Sequence, residues 1–141
     1  MSTTNEDLVE EYPNPIIVHR LSETTFQDSS IYLTNKSNQY IVFKVYMNHH
    51  PPVYSLKPAT SFLKPKDSIT LTLKKLFKPS NTDPNSKDKC LIIYYPVDKV
   101  VATNDEVKDM FKNKTLSEKD KHEILVNIEV DNEVKVESGK P

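Results

Sequence analysis

The chain is 141 residues long with a formal net charge of −1, and it holds a single glycine, Gly139, alongside ten prolines, one cysteine and no tryptophan. Average usage of about 7% would supply roughly ten glycines; with one, in the tail, the chain can write neither a dinucleotide-binding fingerprint, nor a phosphate-binding P-loop, nor a serine-hydrolase elbow. The lone Cys90 excludes an internal disulfide framework and a multi-cysteine zinc site.

Residues 1–12 read as a disordered acidic arm, and their polar opening carries no secretory pattern. Ile16-Ile17-Val18 is a short apolar run just after Pro13 and Pro15. Ser30 to Thr34 alternates, with Ile31 and Leu33 on one face. Asn35-Lys36-Ser37-Asn38 is a turn cluster, because asparagine bonds readily to its own backbone. Tyr40 to Met47 alternates again: Ile41, Phe43 and Val45 share one face, and Val42, Lys44 and Tyr46 share the other. These two runs are expected to pair as a hairpin.

Pro51-Pro52 places a loop before a strand at Val53 to Leu56, and Pro58 and Pro65 frame an irregular segment. Ser68 to Lys74 has the cleanest period of two, with Ile69, Leu71 and Leu73 inward. Pro79 to Asp88 is a polar loop. Cys90 to Tyr95 is apolar on both faces, which predicts a central strand, and Ile124 to Val130 alternates as the closing one. Between them, Thr103 and Glu106 match a capping box. Val107, Met110 and Phe111 then form a small helical stripe, expected to pack on the sheet edge.

Seven short strands and one short helix before the last strand predict an all-β, immunoglobulin-like sandwich. The length suits one domain, expected over residues 13–130, with a flexible acidic tail at 131–141. No run approaches the ~20 apolar residues of a membrane span. The sequons at Asn35 and Asn113 read as chance matches.

Charge is distributed unevenly. Residues 1–35 carry −5, residues 36–90 carry +7, and residues 91–141 carry −3. A basic middle is either an ordinary solvated surface or an attractor for acidic ligands.

Catalytic chemistry finds no foothold. His49-His50 is the only histidine pair and has no acid or thiol close in sequence, so no metal and no cofactor are expected. Cys90 reads as a small buried hydrophobe. The carboxylate pair Glu10-Glu11 lies in the arm, and Asp105-Glu106 suits the positive end of a helix. Nucleic-acid binding is not expected, because Arg20 is the only arginine and the pI is about 6.4.

Several elements in order carry a resemblance: Leu33-Thr34-Asn35, Tyr40 to Val45, Leu56-Lys57-Pro58, Asp83-Pro84-Asn85 and Lys87 to Ile92. Together they resemble the major sperm protein (MSP) domain, particularly that of the VAMP-associated proteins, over roughly residues 13–130. The resemblance implies a seven-stranded immunoglobulin-like sandwich. It also implies a non-enzymatic adaptor that docks FFAT motifs, short acidic segments with two phenylalanines, at endoplasmic-reticulum contact sites. A basic face would steer the acidic flank while an apolar pocket anchors a ring.

Mapped onto this chain, the basic residues are Lys44, Lys89 (or Lys87 in its place) and Lys121. Leu91 takes an apolar pocket position, so Met47 and Leu91 are expected to line the groove. Tyr46-Met47-Asn48 stands where those relatives commonly have Lys-Thr-Thr, which shifts the expected ligand towards a more hydrophobic one. Pro58 matches a loop proline with a structural role. The chain ends without the coiled coil and membrane anchor of those relatives, so it reads either as a soluble member, located in the cytoplasm, or as a sequence that stops short of an anchor to the reticulum. The alternative function is a self-assembling, homodimeric structural protein of the sperm type.

Overall fold

Alternating side chains leave each strand with one apolar face, and two such sheets bury those faces against each other. The computed structural model describes residues 8–22, 25–47, 54–75 and 88–131. It contains β1 (Val9–Tyr12), β2 (Ile16–His19), β3 (Ser29–Asn35), β4 (Tyr40–Met47), β5 (Tyr54–Lys57) and β6 (Thr60–Leu63). There follow β7 (Ser68–Lys75), β8 (Asp88–Val97), helix α1 (Asn104–Lys112), a 3-10 turn (Glu118–Asp120) and β9 (His122–Asp131). One sheet has the order β1-β3-β7-β5 and the other β2-β9-β8-β4-β6. All pairings are antiparallel except β2 with β9, which is parallel.

The inward rows meet in one core. Ile31, Leu33, Leu71 and Leu73 come from the first sheet, and Ile41, Phe43, Ile92, Tyr94, Val126 and Ile128 from the second. The Tyr94 hydroxyl spans this layer and accepts a hydrogen bond from the Leu8 N–H at 3.2 Å. Cys90 is buried in the same core, and burial pushes its thiol up to about 12. It therefore stays protonated at neutral pH, where a thiol is a poor nucleophile.

The two-sheet sandwich, the helix and the middle position of β8 match the sequence reading. The count of seven strands does not: nine are present among the described residues. The additional ones are β1 and β6. β1 takes the end of the expected arm and pairs Val9 with Asn35 through Tyr12 with Tyr32. Only Val9 of its four residues is buried, so composition hid it. β6 lies between Pro58 and Pro65, and pairs with β4 from Ile41↔Leu63 to Lys44↔Thr60.

The expected hairpin is also corrected, since β3 and β4 belong to different sheets. Alternation tells which residues point inward, not which neighbour a strand takes. The crossing is held by Asn35, which is fully buried. Its amide donates to the carbonyls of Gln39 (2.8 Å) and Lys64 (2.9 Å). Its Oδ1 accepts from the Ser37 N–H (2.9 Å) and hydroxyl (2.7 Å).

Pro58, whose peptide bond with Lys57 is cis, sits where the chain leaves β5 in one sheet and enters β6 in the other. The next residue, Ala59, accepts a hydrogen bond from the Val45 N–H at 2.8 Å. Val53, the loop at residues 79–87, His49, His50 and the segments 1–7 and 132–141 lie outside the described residues. None of the helices in the described residues is long and apolar enough to cross a membrane.

Candidate functional site

The outward rows of the five-stranded sheet follow from the same alternation. Val42, Lys44 and Tyr46 of β4 face Tyr95, Ile93 and Leu91 of β8, and Leu91 and Ile93 face Leu125 and Glu123 of β9. One end of this face is covered by α1. The Thr103 hydroxyl accepts from the Glu106 N–H (3.2 Å), and the Glu106 carboxylate accepts from the N–H groups of Ala102 (2.7 Å) and Thr103 (3.0 Å). Those two backbone bonds hold the Glu106 carboxyl below its ordinary range. The Ser61 hydroxyl donates to Asn104 Oδ1 at 2.8 Å and fixes the helix start over β6. Val107 and Met110 then pack on Val42, Tyr95 and Val101 as a second, smaller core.

Where helix cover ends, the sheet is left open and a pocket of about 360 Å3 forms. Tyr46, Ile93 and Tyr95 contribute from the strands, and Met110, Phe111 and Leu116 from the helix and the segment after it. Phe111 meets Tyr95 edge-on, with centroids 5.7 Å apart. Lys114, Glu118 and Lys121 complete the lining. Lys121 pairs with Glu123 (3.5 Å) and Glu118 (3.9 Å). The Glu118 charge, and then the hydrogen bond with Glu123, raise its pKa. Burial, followed by the Glu118 charge, raises that of the Tyr95 phenol.

Lys44, Tyr46, Leu91 and Lys121 share this outer face, and the Lys44 ammonium lies 5.2 Å from the Tyr46 ring centroid. Lys89, exposed and two residues before Leu91, falls on the same face opposite Asn127. Met47 does not. It sits opposite Cys90 and packs against the main core, because residues 44 and 46 facing out turn residue 47 in. The expected Met47–Leu91 groove is therefore replaced by a floor of Ile93, Tyr95 and Phe111. Asn48 and Lys87 lie outside the described residues. Pro58 stands apart, at the sheet switch.

Sequence reasoning missed Ile93, Tyr95, Leu116, Lys114 and Glu118. The first two were legible, since the face that holds Leu91 must also hold residues 93 and 95. The others come from the irregular connection between α1 and β9, which has no period to read. Lys114 enters the lining because the helix ends there with φ 54°, a left-handed residue following Asn113. Among the described residues, no group of three or more histidine, cysteine or acidic side chains is placed to hold a metal ion.

The sequence profile described as the MSP (Major sperm protein) domain matches residues 9–116. Among solved structures, the fold resembles WR4, a C. elegans MSP family member, at 20% identity and a TM-score of 0.65, covering 89% of this chain and all of that one. It also resembles SSP-19, an MSP-domain protein like family member in Caenorhabditis elegans, at 13% identity and a TM-score of 0.60, covering 84% and 97%. The ASH/PapD-like domain 7 of human CEP192 matches at 9% identity and a TM-score of 0.62, covering 94% and 89%. No curated protein matches the sequence.

Proposed function

The chain belongs to the MSP domain family, and from that premise we propose that it is a non-enzymatic adaptor that captures short acidic, aromatic-containing peptides of the FFAT type on the outer face of its five-stranded sheet. The observation that carries this reading is the pocket itself. Its floor of Ile93, Tyr95 and Phe111 offers an aromatic ring an apolar seat, and Lys44, Lys114 and Lys121 stand around it. The apolar seat supplies affinity, while the lysines orient the acidic flank and speed encounter. Tyr46 adds apolar surface at the mouth, so the preferred peptide carries a second bulky apolar residue. Partners would be proteins bearing such motifs, recruited to the cytosolic face of the endoplasmic reticulum.

Titration with an FFAT peptide and its Phe→Ala counterpart tests the proposal. Saturable binding that weakens at least tenfold on removal of the ring is expected, in line with loss of a buried aromatic anchor. Equal response to both peptides up to about 1 mM, an affinity of only about −4 kcal/mol, would rule it out.

A second reading, self-assembly, is favoured by one feature. Tyr12 and Tyr32 stand opposite each other on the outer face of the four-stranded sheet, 70% and 47% exposed. Sedimentation at rising concentration decides it: a monomer throughout argues against assembly.

A further inference from the structure

The margin of β9 is only half covered. β2 pairs with it from Ile128 to Asp131 and no further. Just before that stretch, the Asn14 side chain takes the place of a strand. Its amide donates to the Leu125 carbonyl at 3.1 Å, and its Oδ1 accepts from the Asn127 N–H at 3.1 Å. A carboxamide presents the same donor and acceptor as a peptide unit, so Asn14 shows that a peptide group fits this margin.

Along a strand, the N–H and C=O of one residue point to the same side, and successive residues alternate. Leu125 and Asn127 face Asn14, so the Leu125 N–H and both main-chain groups of Glu123 face the same margin. No partner for these three groups is present among the described residues. Unpaired strand edges of this kind are templates for another chain. The outer face beside them is apolar: Tyr46, Leu91 and Leu125 form a row across three strands, and Leu125 at its end is 50% exposed.

We propose that the peptide ligand continues from the pocket onto this margin and adds a short strand to β9. There it bonds to Glu123 and the Leu125 N–H and sets an apolar side chain beside Leu125. This rests on the peptide-binding reading above. The two places are within reach of one segment: from the outward residues of β8 to a strand added beyond β9 is two strand spacings, about 10 Å, or roughly three extended residues. Lys121, which lines the pocket and pairs with Glu123, lies between them. Asn14 marks where the added strand must stop.

The test follows amide exchange residue by residue while the protein is saturated with an acidic, two-phenylalanine peptide. In parallel, the affinities of peptides N-methylated at one position at a time are measured. Exchange at Glu123 and Leu125 should slow by at least tenfold. Ile124 and Val126, whose amides already serve the β8 ladder, should change little. One N-methyl position, the donor to the Glu123 carbonyl, should weaken binding about tenfold, the scale of one lost hydrogen bond, and its immediate neighbours should not. Saturable binding with unchanged exchange at Glu123 and Leu125, and no position sensitive to N-methylation, would overturn the added strand and leave the pocket reading standing. No saturable binding would overturn both.

Discussion

Asn35 is the residue on which the crossing between sheets depends. It satisfies the carbonyls of Gln39 and Lys64 and two donors of Ser37 from a fully buried position. Asn35→Ala removes the shorter bond to each carbonyl and the acceptor of both Ser37 donors, leaving only the Ser37 hydroxyl on Gln39 (3.3 Å) and the Asp67 N–H on Lys64 (3.1 Å). The expected loss is about 3 kcal/mol, roughly 10 °C in Tm for a chain of this size. Asn35→Asp should do at least as much damage, because it turns a carboxylate oxygen towards two carbonyl oxygens where the amide donated. Thermal unfolding of both variants checks this; a shift under 2 °C would contradict it. Lys114 is the opposite case. It holds φ 54° after the helix, and the Thr115 N–H closes the end on the Met110 carbonyl at 3.2 Å. Glycine adopts that conformation without the Cβ clash, so Lys114→Gly should raise the denaturant midpoint by an amount equivalent to about 0.5–1 kcal/mol. The scarcity of glycine is thus met by lysine, here and at Lys66 with φ 64°.

Among the elements, the helix was the most legible. Threonine and glutamate three apart, followed by a 3.6-period stripe, give its start and its buried face without reference to anything distant. Its cap also carries a pH dependence. Glu106 has its folded-state pKa lowered from an ordinary 4.5 by two backbone donors. Its stabilisation is therefore full above the unfolded value and is lost as pH falls through the folded one. Glu106→Gln should be less stable than the parent at pH 7, and the gap should narrow as pH falls below 4.5; parallel curves down to pH 2 would refute this. β8 was legible for a related reason, since apolar residues on both faces suit a middle strand with the core on one face and helix packing over part of the other. Strand partners were not legible. β3 and β4 looked like a hairpin because only the polar turn between them was visible, and the bonds that divert it come from Lys64 and Asp67, some thirty residues on. β1 and β6, four residues each, are too short to show a period.

At the scale of the whole molecule, the basic middle of the sequence does not become a single patch among the described residues. Lys36 pairs with Glu10, and Lys66 donates to the Lys36 carbonyl. Lys74 pairs with Asp28, while Lys75 lies over Phe26 and Tyr54. Lys44 and Lys89 lie on the outer face of the five-stranded sheet, joined there by Lys114 and Lys121 from outside the block. Charge along a chain says how much is present; the topology decides where it gathers. The apolar floor was half legible for the same reason, its strand residues readable from alternation and its loop residues not. Under the proposed function, Lys44→Glu combined with Lys121→Gln should lower peptide affinity at least tenfold. Raising salt from 50 to 500 mM should slow the association rate of the parent by about tenfold, because the Debye length shrinks to a few ångströms. Unchanged affinity in the double variant, whose folding is verified by its Tm, would remove the basic face from the mechanism.

The parallel pairing of β2 with β9 has a mechanical consequence. Ile16↔Ile128 through His19↔Asp131 joins the beginning of the fold to its last strand. If one partner pulls on the chain before β2 and another on the chain after β9, the tension runs along both strands in opposite senses. Four residue pairs are then loaded in shear at once instead of peeling open one at a time. A protein that holds two bodies together by its ends would place its strongest resistance across that seam. Pulling a single molecule by residues 13 and 131, so that β1 carries no load, should give a higher rupture force than pulling from the β4 and β9 ends, where the load would unzip the sheet.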